Sequence, residues 1–136
     1  MILLSFSPTA ALAAQVTPAV ALNGSPRNLV MQANFTYGSG GTSFDAWVQT
    51  SLDNGLTWTD IANFNFLLAS ARKLYNLSAL TAKTTVVAPT DGTLTANTAV
   101  DGILGPQYRV KWTSVGIYAA TTVRVDIHGD QIQSYP

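Results

Sequence analysis

Side chains that could carry out acid–base or nucleophilic chemistry are few in this chain of 136 residues. His128 is the only histidine, and Asp126 lies two residues before it, on the same face of an alternating segment. A Ser-His-Asp triad needs a histidine that an acid orients toward a nucleophile, and serines are plentiful. No sequence motif of a known nucleophile accompanies the pair, however. We therefore interpret His128 as a solvated residue near a strand end and expect no catalytic residues and no enzyme activity.

All seven acidic residues are aspartates, and paired carboxylates could serve glycoside hydrolysis or bind calcium. The candidates are Asp45, Asp53, Asp60, Asp91 and Asp101. Asp53 and Asp91 lie in turn sequences, where an Asp side chain bonds its own backbone. No loop has the Asp-x-Asp-x-Asp-Gly pattern, and one histidine without cysteine leaves no ligand set for zinc or copper. We expect no metal and no other cofactor, with calcium on these loops as an open alternative.

The segment from Ser51 to Trp58 has the spacing Ser-x-Asp-x-Gly-x-x-Trp. Its Asn54-Gly55 pair lies between two alternating segments and predicts a hairpin turn, because both residues accept a positive φ. The spacing resembles the Asp-box, a hairpin element of sialidases and other carbohydrate-active β-propellers. That resemblance implies a structural turn in which Asp53 accepts backbone N–H bonds and Trp58 packs beneath it. One copy, in a chain too short for a propeller and without Glu, indicates a fold element and excludes sialidase chemistry.

Alternating apolar and polar residues predict the strands that must position these side chains. In chain order, the predicted strands cover residues 2–6, 29–37, 44–52, 64–69, 72–77, 108–113 and 123–128. A less regular strand follows Pro18, a return strand starts at Thr57, and residues 38–42 predict a flexible loop tip. Residues 61–80 also fit a helical face, but they lack caps, so we predict strands there. The chain is expected to be all-β, a single antiparallel β-sandwich of jelly-roll-like form over residues 15–136.

The first 14 residues are apolar and end in Ala-Leu-Ala-Ala, as a signal peptide can. No Lys or Arg precedes Arg27, however, and Pro8 interrupts the run, so a cleaved signal stays only an open alternative. We expect residues 1–14 to form an extended arm or strand that docks on the core or on a neighbouring subunit. The interface candidates in this segment are Ile2, Leu3, Leu4 and Phe6.

Trp47 lies on the strand face opposite Phe44 and Val48. A lone outward tryptophan can stack on a sugar, anchor an interface or belong to a second buried layer. We favour the interface or the covered face, and we include Trp47 among the interface candidates.

Composition favours a subunit of an assembly. The chain is 47% hydrophobic and only 10% charged, and its formal net charge is +0. An ordinary soluble domain has about a quarter of its residues charged, and a surface with so little charge does not repel a neighbour. The lack of a basic stretch argues against nucleic-acid binding, and no run reaches the roughly 18 apolar residues of a membrane helix.

Two segments together, residues 46–61 and residues 107–118 with their Gln-Tyr-Arg-Val-Lys-Trp-Thr stretch, resemble small virion structural proteins of tailed bacteriophages. The resemblance implies a β-sandwich present in many copies in the virion, with the major capsid protein or another virion protein as partner. We therefore expect a non-enzymatic, homo-oligomeric capsid decoration or cement protein that stabilises the shell by multivalent contacts. The alternatives are a neck, collar or tail component and, from a different class, a carbohydrate-binding module that uses Trp47.

Overall fold

The computed structural model describes residues 1–130, and all regular structure within them is β. The polar composition of residues 130–136 predicts a tail, and all of this segment after Asp130 lies outside the described residues. The strands are β1 (Ile2–Phe6), β2 (Leu12–Val16), β3 (Val20–Ala21), β4 (Asn28–Thr36), β5 (Ser39–Gly40), β6 (Ser43–Ser51), β7 (Thr59–Phe66), β8 (Ala71–Ser78), β9 (Gln107–Val115), β10 (Tyr118–Ala119) and β11 (Thr122–Gly129). Residues 1–130 contain no helix long and apolar enough to span a membrane.

Two antiparallel sheets pack face to face. Sheet A has the order β1-β11-β4-β8, and sheet B has the order β2-β9-β6-β7, with β3 also pairing with β9. The pairs β1 with β11, β2 with β9, β4 with β8 and β6 with β7 join strands symmetrically about the middle of the chain. The chain therefore wraps as one long folded ribbon, which is the jelly-roll arrangement. The predicted antiparallel β-sandwich is confirmed.

The core follows directly from the period-two pattern. Apolar residues on the inward faces of β4, β6 and β11, and Tyr108 and Val110 of β9, are buried, and most of their neighbours along each strand are more exposed. The end of β6 is the exception, because Gln49, Thr50 and Ser51 are buried as well. Aromatic rings fill the space between the sheets, and the Phe35 and Phe66 rings stack with centroids 4.8 Å apart. The fully buried apolar residues at the centre include Leu29, Met31, Phe35, Phe44, Val48, Phe64, Tyr108, Val110, Val125 and Ile127.

Strand β7 departs from alternation. The register with β6 shifts between Val48 and Gln49, which pair with Ala62 and Asp60, so Ile61 is an extra residue in a β-bulge. The connection between β8 and β9 also covers the outer face and edge of β7, for example through the hydrogen bond from Val100 N to Ile61 O at 2.8 Å. Burial on both faces explains why this strand lacked a clear pattern. The choice of strands over a helix is confirmed, but the return strand expected from Thr57 and the strand expected over residues 64–69 are one strand, β7 (Thr59–Phe66).

The N-terminal segment is not a free arm. Strand β1 pairs with β11 at the edge of sheet A, and Leu3 and Leu4 are each only 7% exposed. A register shift between Ile2 and Leu4 turns both leucines toward the core. The Phe6 ring lies 4.6 Å from the ring of Trp112, centroid to centroid. Of the two alternatives for this segment, a strand docked on the protein's own core is therefore the one observed for residues 2–6.

Residues 38–42 do not form the free loop tip that was expected. Ser39 and Gly40 pair with the two residues of β10. Gly41 N and Thr42 N donate hydrogen bonds of 2.8 Å to the carbonyls of Ile117 and Val115. The glycines here serve close packing between two connections.

Candidate functional site

The Asp-box-like turn has the hydrogen bonds that its sequence predicts. The Asp53 carboxylate accepts bonds from Thr57 N at 2.8 Å, from Thr57 Oγ1 at 2.6 Å and from Ser51 Oγ at 2.9 Å. Ser51 Oγ in turn accepts a bond from Gly55 N at 2.8 Å. The bonds from the Thr57 hydroxyl and backbone lower the pKa of Asp53 below its ordinary value. Every one of these groups is used to hold the turn.

The turn is longer than a two-residue hairpin. Asn54 and Gly55 have φ angles of 61° and 84°, as the Asn-Gly pair predicts. The pairing of β6 with β7 nevertheless stops at Thr50 and Thr59. Between them the Asp53 side chain binds the backbone N–H of Thr57, four residues later, and this bond holds the longer turn together. Trp58 is half-buried, and the Arg109 guanidinium lies 4.4 Å from the centroid of its ring. The tryptophan thus lies against the outer face of sheet B.

Asp60 holds the long connection between β8 and β9 against sheet B. Its side chain is buried, and its carboxylate accepts hydrogen bonds from five groups. Four donors lie in the connection: Thr90 Oγ1 at 2.8 Å, Gly92 N at 2.8 Å, Thr93 N at 3.1 Å and Leu94 N at 3.1 Å. We call this arrangement the Asp60 clamp. It supplies acceptors to backbone N–H groups that an irregular segment cannot pair with itself.

Gln49 joins the clamp to a second carboxylate. Its side chain is fully buried, and its Nε2 donates to Asp60 Oδ1 at 2.8 Å and to Asp91 Oδ1 at 2.7 Å. Its Oε1 accepts a bond of 2.8 Å from Arg109 Nε, and Lys111 Nζ lies 3.1 Å from Asp91 Oδ1. The bond from Gln49, aided by Lys111, lowers the pKa of Asp91 below its ordinary value. The sequence analysis missed this network because its members are far apart in the chain. One signal was present: Gln49 and Trp47 both lie on the outer face of sheet B, and a large aromatic residue there indicates that the face is covered.

Trp47 lies on that covered face. It is half-buried, and its Nε1 donates a 3.0 Å hydrogen bond to the Leu94 carbonyl. Of the alternatives for this residue, the second buried layer is the one observed. Every Phe, Tyr and Trp side chain within residues 1–130 is buried or half-buried. This part of the chain therefore has no fully exposed aromatic ring on which a sugar could stack.

His128 lies on the outer face of sheet A, at a shallow open groove of about 390 Å³. The groove is lined by Val30, Gln32, Asn34, Leu74, Arg124, Asp126, Ile127 and His128. Asp126 accepts hydrogen bonds from Arg124 Nε at 2.8 Å and from Arg124 Nη2 at 3.1 Å. No serine, threonine or cysteine lines this groove, so these side chains do not assemble a triad there. No cluster of His, Cys, Asp and Glu that could hold a metal ion occurs within residues 1–130.

The N-terminal interface candidates differ in their exposure. Ile2 is 44% exposed, whereas Leu3 and Leu4 are buried and Phe6 is half-buried. Apolar side chains with a larger exposed fraction than Ile2 lie on the connections between strands. The most exposed of these are Leu52, Leu56, Leu67, Leu68, Leu80, Val86 and Ile117.

Fold and polar contacts define this protein as a jelly-roll β-sandwich whose carboxylates hold its turns and connections in place. A scan against protein-family models found no match, and a search of curated proteins found no similar sequence. The function must therefore be argued from the residues themselves.

Proposed function

We propose that this protein is a non-enzymatic structural subunit of a phage virion, a capsid decoration protein that stabilises the shell through many identical contacts. The observation that carries the proposal is the way the chain distributes its polar and apolar groups. All seven carboxylates accept hydrogen bonds from within the chain, while a series of large apolar side chains is exposed.

Carboxylates committed in this way are poor candidates for acid–base chemistry. A general acid or base must reach a substrate proton, and its pKa must lie near the working pH. The pKa values of Asp53, Asp91 and Asp101 are instead lowered by hydrogen bonds that support turns. Asp101, for example, accepts bonds from Ser78 N at 2.7 Å and from Thr81 Oγ1 at 2.8 Å. These contacts favour a structural role over an enzymatic one.

Contacts with other subunits explain why the surface of this protein has so few charges. Interface cores are depleted of charged residues, and a neutral, charge-poor chain can pack closely against copies and neighbours. Jelly rolls occur in viral capsid and lectin domains, so the fold supports this role by analogy. The expected partners are the major capsid protein or another virion protein, and further copies of this chain.

Counting this polypeptide in purified particles tests the proposal. A decoration protein is present on the order of hundreds of copies per particle, and a neck ring about a dozen. Quantitative mass spectrometry against the major shell protein gives the ratio. Particles stripped of the protein should lose their contents at a lower temperature and recover when it is added back. Absence of the polypeptide from purified particles would refute a virion role.

The carbohydrate-binding alternative is weaker after the contacts of Trp47 are known, because its ring is held beneath the connection between β8 and β9. The neck, collar and tail alternative is separated from decoration by the copy number alone.

A further inference from the structure

At one end of the sandwich, the connections between strands contain no charged residue. The connections β1–β2, β4–β6, β7–β8 and β9–β11 meet there, as the partner pairs Phe6–Val123, Thr36–Thr122 and Phe44–Phe66 show. These connections are residues 7–11, 37–42, 67–70 and 116–121, and none of their residues is charged. We call this surface the uncharged end. The connections at the opposite end contain Arg27, Asp53, Lys83, Asp91 and Asp101.

The uncharged end exposes large apolar side chains. Leu67 is 58% exposed, Leu68 is 54% exposed and Ile117 is 67% exposed. Leu67 and Ile117 lie on connections that touch, since the Tyr118 hydroxyl donates a 3.0 Å hydrogen bond to the Leu67 carbonyl. Lys73 of β8 lines the same pocket as Leu67 and Leu68, but its Nζ is hydrogen-bonded to the Asn65 carbonyl and to Asn97 Oδ1. Exposed apolar groups on connections without charge have the composition of an interface core.

Hydrogen bonds between the connections fix the shape of this surface. Gly38 N donates to Thr121 Oγ1 at 3.0 Å, and Tyr37 N donates to Ser70 Oγ at 2.8 Å. Gly41 packs so closely that a Cβ there would overlap the Tyr118 ring. A surface that is already ordered loses little conformational entropy when it binds.

We propose that the uncharged end docks against the same end of a second copy of this chain. In a two-fold symmetric contact, residues near the axis meet their own copies, so a charged residue there would face its own charge. An uncharged, apolar patch avoids that repulsion, and the formal net charge of +0 adds none at longer range. Leu52 and Leu56, by contrast, flank Asp53, which would meet like charge in such a contact. The proposal goes beyond the virion role and does not depend on it.

Sedimentation velocity of the purified full chain tests the proposal, with the protein between about 1 µM and about 1 mM. We expect a monomer–dimer equilibrium, and Ile117→Asp should raise its Kd by roughly a hundredfold or more, because each dimer contains the change twice. Leu52→Asp is the matched control, since Leu52 is 66% exposed at the opposite end. It should change Kd by no more than about threefold.

Two further measurements complete the test. Leu68→Asp should weaken the dimer as Ile117→Asp does, and it replaces that variant if Ile117→Asp alters the far-ultraviolet circular dichroism. Raising the salt from about 0.05 M to about 1 M should leave the dimer intact, because no ion pair holds it. The proposal is overturned if the unaltered chain is a monomer throughout, if Leu52→Asp dissociates the dimer as strongly, or if salt dissociates it.

Discussion

Replacing Asp60 with Asn removes the charge of the Asp60 clamp with almost no change in volume. The carboxylate presents acceptors to Gln49 and to Thr90, Gly92, Thr93 and Leu94. An amide has a single acceptor oxygen, and its NH2 group would face donors. If the amide NH2 takes the place of Oδ2, the bonds that Thr90, Gly92, Thr93 and Leu94 donate to that atom are lost. If it takes the place of Oδ1, those four bonds lose their charged acceptor and the NH2 group faces the NH2 group of Gln49.

The size of the effect follows from those contacts. A hydrogen bond to a charged group contributes about 1.5–3 kcal/mol, and a buried donor left without an acceptor costs about 1–3 kcal/mol. The connection can relax toward water and recover part of this, so we expect the free energy of unfolding to fall by about 3–5 kcal/mol. Domains of this kind are stable by roughly 5–15 kcal/mol, so a loss of this size is a large fraction of the whole.

Urea unfolding monitored by tryptophan fluorescence measures the loss, since Trp47 and Trp58 lie beside the clamp. With a slope near 2 kcal/mol per M, the midpoint should fall by roughly 2 M. Trypsin should also cut after Lys83 faster than in the unaltered protein, because the connection is released from the sheet. Asp45→Asn is the control, because Asp45 Oδ1 accepts only amide bonds from Asn63 and Asn65 and an Asn oxygen can replace it. A loss below about 1 kcal/mol for Asp60→Asn would refute the clamp.

Three further outcomes follow from the contacts. Leu4→Ala should destabilise the fold by about 2–5 kcal/mol in urea unfolding, whereas Ile2→Ala should cost under about 1 kcal/mol; equal effects would contradict the docked strand β1. Gly41→Ala should destabilise by more than about 2 kcal/mol, and Gly24→Ala, which has a positive φ but open space, by about 1 kcal/mol. The lowered pKa of Asp53 means that its contribution is present above about pH 4 and is lost as the pH falls through that lowered pKa. Acid unfolding of Asp53→Asn should therefore depend less steeply on pH, and an unchanged profile would contradict the hydrogen bonds of the turn.

The strands with one buried face could be predicted from the sequence. The alternation in β4, β6, β9 and β11 fixes which side chains reach the core, because successive residues point to opposite faces. The Asn54-Gly55 turn was equally local, since positive φ is a property of those two residues. Local sequence signals of this kind predict the structure correctly because the backbone conformation that they favour is also the one that the fold requires.

Contacts between distant segments could not be predicted in the same way. Leu3 and Leu4 both point inward because a register shift breaks the alternation of β1, and no local pattern marks that shift. Trp47 is covered by a segment without periodicity, and the Leu94 carbonyl that it binds lies 47 residues later. Asp60 looked like a surface acid because four of its five hydrogen-bond donors lie 30 to 34 residues away, in the connection between β8 and β9.

The need of irregular segments for hydrogen-bond acceptors explains where the aspartates lie. The connection between β8 and β9 is long and irregular, and carboxylates such as Asp60 and Asp101 accept bonds from backbone N–H groups that have no partner strand. The short connections at the opposite end pair with each other and need no carboxylate. This need accounts for the lack of charge at the uncharged end, but it does not account for Leu67, Leu68 and Ile117 being exposed there. Serine or asparagine would satisfy a short solvated connection equally well, so the exposed apolar side chains are what the proposed contact between two copies requires.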